Sequence, residues 1–380
     1  MSLLNSWEDA DLNINLLKGI YSMGFDQPSP IQKQSICPII SGKDVIAQAQ
    51  SGTGKTGSFC IGSLNTCDPS NPVIQKLILA PTRELAAQIH SVFMMLGSPM
   101  GVRAQLLVGG NSTDSDIQTM TKTKPHAIIG TPGRVLDIMK RRVFDTNTIT
   151  TIVMDEADEI LSDGFMDQIY SIFKFLSSSC QVVLFSATLP ESIEMLTTKF
   201  MTDPVKILVK SDMLTLEGIA QFYISFENDY EKYEALKDIY ETISVSQSII
   251  YCNTVKRVVD LYNSMLSDNF PVCCIHSDMG KDERNSTYHD FKSGKFRVLV
   301  SSNLTARGID VQQVSVVVNF DIPKCVHTYL HRIGRSGRWG RKGVGINFVT
   351  KMDTYKMKTI EQHYQTHIKE LPQNYIDFIG

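Results

Sequence analysis

Short, nearly continuous apolar runs alternate along this chain with longer stretches whose apolar residues recur at helical spacing, the pattern of βαβ units around a mostly parallel sheet. In the first half the runs at 44–49, 76–81, 103–109, 126–130, 150–156, 181–187 and 205–209 predict strands, and their unbroken hydrophobicity predicts helices on both faces. Helical spacing is found over 83–97, 113–122, 132–142, 166–177 and 190–200. A polar stretch, KSDMLTLEG, follows Val209, and the alternation then restarts with QFYISF, QSIIYC, PVCCIH, FRVLVS, VSVVVNF and GVGINFV. The expected organisation is one α/β domain over 1–209, a linker over 210–217 and a second α/β domain over 218–380. The similar grain of the two series implies a duplication too diverged to read as a repeat.

Composition changes this picture little. Hydrophobic residues make up 42% and charged residues 20% of 380, close to the soluble globular average, so neither disorder nor a fibrous chain fits. The net charge of −3 advertises no nucleic-acid or membrane partner, so any such binding must come from local groups. The 8 cysteines form no CxxC pair, which leaves buried free thiols as the expectation. The N-terminus is unlike a signal peptide, and no apolar run approaches the roughly 20 residues that span a bilayer. A reducing compartment, the cytoplasm or nucleus, and no membrane partner are expected.

The chemistry begins at AQSGTGKT (49–56), which follows a strand and opens a helix, the context a P-loop requires. Backbone N–H groups of Ser51, Gly52, Thr53 and Gly54 would face phosphate oxygens, Lys55 would sit on the β and γ phosphates, and Thr56 would hold Mg2+. About 100 residues later a second apolar strand delivers Asp155 and Glu156 at its carboxyl end, where open α/β sheets bind ligands. Asp155 can hold Mg2+ through water, and Glu156 can orient the attacking water. ATP and Mg2+ are the expected cofactors.

Asp155 to Asp158 spell DEAD, and here the chain resembles the DEAD-box RNA helicases. GFDQPSPIQ, AQSGTGKT, PTRELA, the Gly109-Gly110 pair, TPGR, DEAD, SAT, ARGID and HRIGRSGR follow in that family's order and spacing over essentially the whole chain. The resemblance implies two RecA-like domains in tandem. Beside it stand physical readings: the Gln32 amide can pair with N6-H and N7 of adenine, Phe25 offers the base a stacking face, and Trp7 would buttress their loop. Thr131 and Pro132 of TPGR read as an N-cap and first helical residue, and PTRELA likewise opens a helix, so free N–H groups there can bind phosphate.

The resemblance carries RNA-backbone contact onto Pro81, Thr82, Arg83, Gly110, Thr131, Gly133 and Arg134, and onto Asn253 and Ser302 in the second half. It implies that Gly308 and Asp310 meet the nucleotide and that Arg335 and Arg338, spaced to share a helical face, are arginine fingers on the γ-phosphate. His331 would couple to the DEAD and SAT segments through Asp158, Ser186 and Thr188. Lys55, Asp155, Glu156, His331, Arg335 and Arg338 are thus the expected catalytic set, and Thr56 and Asp155 the metal ligands.

The implied activity is RNA-stimulated ATP hydrolysis that locally unwinds short duplexes with weak sequence preference. Within the family the chain is most similar to the translation-initiation branch, which implies cytoplasmic mRNA as substrate, a scaffold protein of the cap-binding complex and accessory RNA-binding factors as partners, and a monomer. The exon-junction-complex branch, an ATP-gated RNA clamp, is the alternative. Six positions depart from the family pattern: Asn303 for Asp, Ser301-Ser302 for a Thr pair, Ser277 for Gly, Asp163 for Arg and Trp7 for Phe.

Overall fold

The computed structural model describes residues 4–49, 52–161, 165–208, 219–242, 247–303, 314–336 and 343–372, apart from the Lys281 side chain. The expected linker, and with it Ser51, Asp163, Gly308, Asp310 and Arg338, lies outside these residues. Two compact units divide the chain between Val209 and Lys210.

In the first unit seven parallel strands form one sheet: β1 Val45–Gln48, β2 Lys76–Leu79, β3 Ala104–Leu107, β4 Ala127–Gly130, β5 Thr151–Met154, β6 Gln181–Ser186 and β7 Val205–Ile207, in the order β3-β4-β2-β5-β6-β1-β7. Successive side chains of a strand point to opposite faces, and the core divides accordingly. Ile78 and Val153 join the apolar faces of the helices Pro30–Ile40, Lys55–Asn65 and Arg83–Gly97. Leu77, Leu79, Ile152 and Met154 join those of Pro132–Lys140, Met166–Phe173 and Glu191–Phe200. The central strands are buried along their length, as their unbroken hydrophobicity predicts.

The second unit repeats this plan with β8 Ile219–Phe226, β9 Gln247–Tyr251, β10 Val272–Ile275, β11 Val298–Ser301, β12 Val314–Asn319, β13 Gly343–Thr350 and β14 Lys369–Glu370. Its order is β10-β11-β9-β12-β13-β8-β14. Counted from the first strand of each unit, both sheets read 3-4-2-5-6-1-7, so the duplication hidden in the residues is explicit in the topology. The short strand β14 carries no apolar run and escapes sequence reading.

No disulfide links the cysteines; Cys60, Cys67, Cys252 and Cys273 are buried thiols, whereas Cys325 is exposed, against the expectation for that residue. No described helix is long and apolar enough to cross a membrane.

One buried cation in the first unit carries a pH signature. Lys76, 1% exposed, donates to the Thr66, Thr150 and Thr151 hydroxyls at 2.8, 2.9 and 3.1 Å and has no carboxylate partner among the described residues. Burial lowers its pKa to about 8. A group whose folded-state pKa lies below its unfolded value gives up its proton first in the folded state, so stability rises with pH through that window. Relative to Lys76→Met, the wild-type protein should therefore gain about 2 kcal/mol of unfolding free energy between pH 7 and 9.5. Parallel denaturation midpoints for the two proteins across this range would contradict the assignment.

Candidate functional site

Parallel strands in an open sheet present their carboxyl ends to one edge, and the strand order sorts the predicted residues along it. The ends of β1, β5 and β6, three adjacent strands, carry Gly52–Thr56, Asp155–Asp158 and Ser186–Thr188. Those of β2, β3 and β4, also adjacent, carry Pro81–Arg83, Gly110 and Thr131–Arg134. One half of the edge thus collects the residues assigned to the nucleotide and the other half those assigned to RNA. The second unit has the same layout: Asn253 and Ser302 follow β9 and β11, and His331 and Arg335 follow β12.

In the nucleotide half, Gly52 and Gly54 take φ of 84° and 102°, a left-handed backbone that glycine adopts without strain. Gly54 caps the helix Lys55–Asn65, so its N-terminal N–H groups face the loop. The Lys55 ammonium donates to Glu156 at 3.1 Å and lies 4.0 Å from Asp155. Burial alone would drive this lysine toward neutrality, but the Glu156, Asp155 and Asp158 carboxylates outweigh it and raise its pKa. For Asp155 burial dominates instead and pushes the carboxyl up, although Lys55 opposes it. Even with Asp155 protonated, the Glu156 and Asp158 carboxylates outnumber the one ammonium and leave local negative charge.

Glu156 sits at φ 50° and ψ 52° as the cap of a short helix, Ala157–Ile160. A left-handed conformation at a non-glycine residue costs of the order of 1–3 kcal/mol and clusters at functional sites. Asp158 ties this turn to the segment after β6: its N–H donates to the Ser186 hydroxyl at 3.2 Å, and the Thr188 hydroxyl donates to its carboxylate at 2.7 Å. Sequence reasoning missed Gln48, whose amide donates to the Ala187 carbonyl at 3.2 Å and fixes the same segment to β1.

A hard cation fits this donor set. Asp155 and Thr56 supply a carboxylate and a hydroxyl, the oxygen ligands that Mg2+ prefers. The Thr56 hydroxyl makes no hydrogen bond among the described residues, and the carboxylate excess around Lys55 calls for added positive charge.

The residues expected to read adenine lie against the P-loop. Trp7, fully buried, donates its indole N–H to the Phe25 carbonyl at 2.8 Å and so holds that loop. Gln32 accepts from the Ser29 N–H at 2.7 Å and donates to the Gly54 carbonyl at 3.3 Å. Both amide atoms expected to read adenine are therefore engaged within the protein, and pairing with a base requires exchange of these partners. A methyl group at Gly57 would lie 2.6 Å from the Gln32 amide nitrogen. Gly57→Ala should displace that amide and lower the preference for ATP over GTP roughly tenfold, within the ~1–3 kcal/mol of a lost bidentate base contact. Equal ATP-to-GTP ratios of kcat/KM in both proteins would contradict this role of Gln32.

In the other half, Thr82 caps the helix Arg83–Gly97 by accepting from the Leu85 N–H at 3.2 Å, and Arg83 lies over Gly109. Thr131 and Pro132 begin the helix Pro132–Lys140 as their order predicts, but the Thr131 hydroxyl makes no cap hydrogen bond. Gly110 takes φ of 96°. Arg134 forms an ion pair with buried Asp116 and donates to the Asn111 carbonyl at 2.7 Å. It therefore braces the Gly110 loop, and its partner Asp116 carried no signal in the sequence.

One expectation for the second unit needs correction. The helix expected to present Arg335 ends at Ile333, with Gly334 at its C-cap, so Arg335 lies beyond the helical face. The Asn253 side chain, expected to contact RNA, accepts from Arg332 at 2.8 Å and donates to the Ile322 carbonyl at 2.9 Å. Arg332, fully buried, also donates to Asn303 at 2.9 Å, Asn319 at 3.2 Å and the Asp321 carbonyl at 2.8 Å.

Comparisons with known proteins agree with this geometry. Residues 29–196 match the DEAD/DEAH box helicase family and residues 231–340 the helicase conserved C-terminal domain. An ATP-dependent RNA helicase eIF4A of Chaetomium globosum is 50% identical over 99% of this chain and 94% of its own length. For the eIF4A of Schizosaccharomyces pombe the figures are 49%, 99% and 96%. Among solved structures, Saccharomyces cerevisiae Dbp5 bound to RNA and ADP BeF3 has a TM-score of 0.89 at 34% identity, covering 96% of this chain and 95% of that one. Mss116p bound to ssRNA and AMP-PNP has a TM-score of 0.86 at 27% identity, covering 97% and 80%. These relatives favour the initiation-factor branch over the exon-junction branch. With about half its residues shared with such proteins and both domain models matched in order, the chain belongs to the DEAD/DEAH box helicase family and is an RNA helicase of the DEAD-box type.

Proposed function

We propose that this helicase works as an RNA-stimulated, Mg2+-dependent ATPase of the eIF4A kind, gripping cytoplasmic mRNA by its backbone and opening short duplexes during translation initiation. The observation that supports the proposal is that the residues expected to meet the nucleotide and those expected to meet RNA follow two adjacent groups of strands at one edge of the first sheet. Asp158 adds support, since it links the DEAD turn to Ser186 and Thr188 by two hydrogen bonds.

In this reading ATP enters the P-loop and the Lys55 ammonium exchanges Glu156 for the β and γ phosphate oxygens. That exchange releases the Glu156 carboxylate, already oriented by its strained backbone, to accept a proton from the attacking water. Thr56 and Asp155 would hold Mg2+, which supplies charge neutralisation on the phosphates. His331, Arg335 and Arg338 contribute from the second unit, with Arg335 and Arg338 as cations for the γ-phosphate during hydrolysis, and Gly308 and Asp310 meet the nucleotide. Pro81, Thr82, Arg83, Gly110, Thr131 and Gly133 bind RNA phosphates, with Arg134 holding their loop, and Ser302 adds a contact from the second unit. Contacts to the backbone carry no sequence information, so preference among RNA sequences should be weak. A cap-complex scaffold protein and accessory RNA-binding factors are the proposed partners of a monomer.

Strand separation tests the proposal. A short RNA duplex with a single-stranded flank should be opened with ATP and Mg2+ and left closed with ADP. Equal opening with either nucleotide would overturn it.

A further inference from the structure

Away from the edge that carries the motifs, at the amino ends of β2, β4 and β5, the first unit has a pocket of about 180 Å3. Ile74, Met120 and Pro125 are its buried lining, and half-buried Val73, Val143 and Phe144 complete the apolar part. This is below the roughly 300–1,000 Å3 of small-molecule sites, and suits one bulky apolar side chain. The helicase chemistry uses none of these residues.

The chain segments that line the pocket are cationic. Lys122, Lys124, Lys140 and Arg142 are exposed, and none makes an ion pair or side-chain hydrogen bond among the described residues. The remaining basic residue, Arg141, pairs with Asp137 at 3.2 Å. The one acid in the lining, Asp145, already accepts from the backbone and side chain of Asn147, both at 3.0 Å.

Two of these cations sit where the backbone disfavours them. Lys124 has φ 45° and Arg142 φ 52°, each just past the end of a helix, where glycine is the usual residue. Keeping a long cationic side chain in a left-handed conformation costs stability that glycine would restore. Such strain points toward function.

We propose that this pocket docks an acidic linear segment of a partner protein that inserts one Leu, Phe or Trp side chain, with its carboxylates on Lys122, Lys124, Lys140 and Arg142. A partner held here would leave the nucleotide and RNA halves of the opposite edge open, so it can tether the helicase during turnover. The attraction between exposed charges should fade with salt, whereas the apolar anchor should not.

Fluorescein-labelled peptides of the type Asp-Glu-Asp-X-Asp-Glu, with X as Leu, Phe, Trp or Ala, test this on the full chain. Anisotropy should show at least one apolar peptide binding tenfold or more tighter than the Ala peptide. Lys124→Gly combined with Arg142→Gly should weaken it at least fivefold, raise the midpoint of thermal unfolding and leave RNA-stimulated ATP hydrolysis unchanged. Val143→Asp should abolish the preference for an apolar X. Failure of every peptide to bind, equal binding of all four, or undiminished binding to the double glycine variant would each overturn the proposal. So would a loss in that variant of single-stranded RNA affinity alone, which would assign the cations to RNA. The proposal does not rest on the initiation role, since unwinding and peptide binding are read independently.

Discussion

Glu156→Gln should slow RNA-stimulated ATP hydrolysis by about 10²–10⁴-fold, the range for loss of a general base, while ATP affinity stays within a few-fold of wild type. The substitution keeps shape and removes the charge that, in the proposed mechanism, accepts a proton. It also removes the partner that holds Lys55 at 3.1 Å, so the ammonium becomes easier, not harder, to commit to phosphate. Nucleotide binding and hydrolysis are therefore expected to separate. Single-turnover hydrolysis alongside equilibrium ATP titration reads both quantities. A variant that keeps its hydrolysis rate would remove Glu156 from the chemistry, and one that loses ATP binding instead would make it a structural partner of Lys55.

Arg332 should give the largest effect on stability. Its guanidinium is fully buried against Asn253, Asn303, Asn319 and the Asp321 carbonyl, all uncharged acceptors, and packs 5.2 Å over the Tyr251 ring. Burial lowers its pKa to about 10, which still leaves it charged at neutral pH. Truncation would strand these acceptors and open a cavity, so Arg332→Ala should cost about 3–5 kcal/mol. The opposite change is available at Asn303, where the family carries an aspartate. Asn303→Asp would place a carboxylate within hydrogen-bond reach of the guanidinium and should stabilise the protein by about 1–3 kcal/mol at pH 7. Denaturant unfolding of the full chain measures both. A destabilising Asn303→Asp would mean that the second unit has adapted to a neutral partner for Arg332.

Most of the fold was legible in the sequence because buried parallel strands leave long apolar runs, and thirteen of the strands coincide with such runs. The two-residue strand β14 left none. The P-loop, DEAD and TPGR segments were legible because each requires particular residues at fixed spacing: glycines with positive φ, a lysine at a helix start, an acid after a strand. The partners that hold them were hidden. Gln48, Asp116 and Asn111 act through contacts between segments far apart in the chain, which neither local spacing nor composition reveals. Arg332 lies inside a motif that drew attention to His331 and Arg335, yet the helix Val326–Ile333 turns it inward among three asparagines. The docking pocket was equally invisible, because it is assembled from the ends of separate helices and strands. Its strained lysine and arginine look, in sequence, like ordinary surface charges.

The most direct test of the central reading is steady-state ATP hydrolysis by the full chain with and without single-stranded RNA, and with single-stranded DNA as control. The account predicts stimulation by RNA, little or none by DNA, and loss of the stimulated rate in Glu156→Gln. Hydrolysis at one rate whether RNA is present or absent would contradict it.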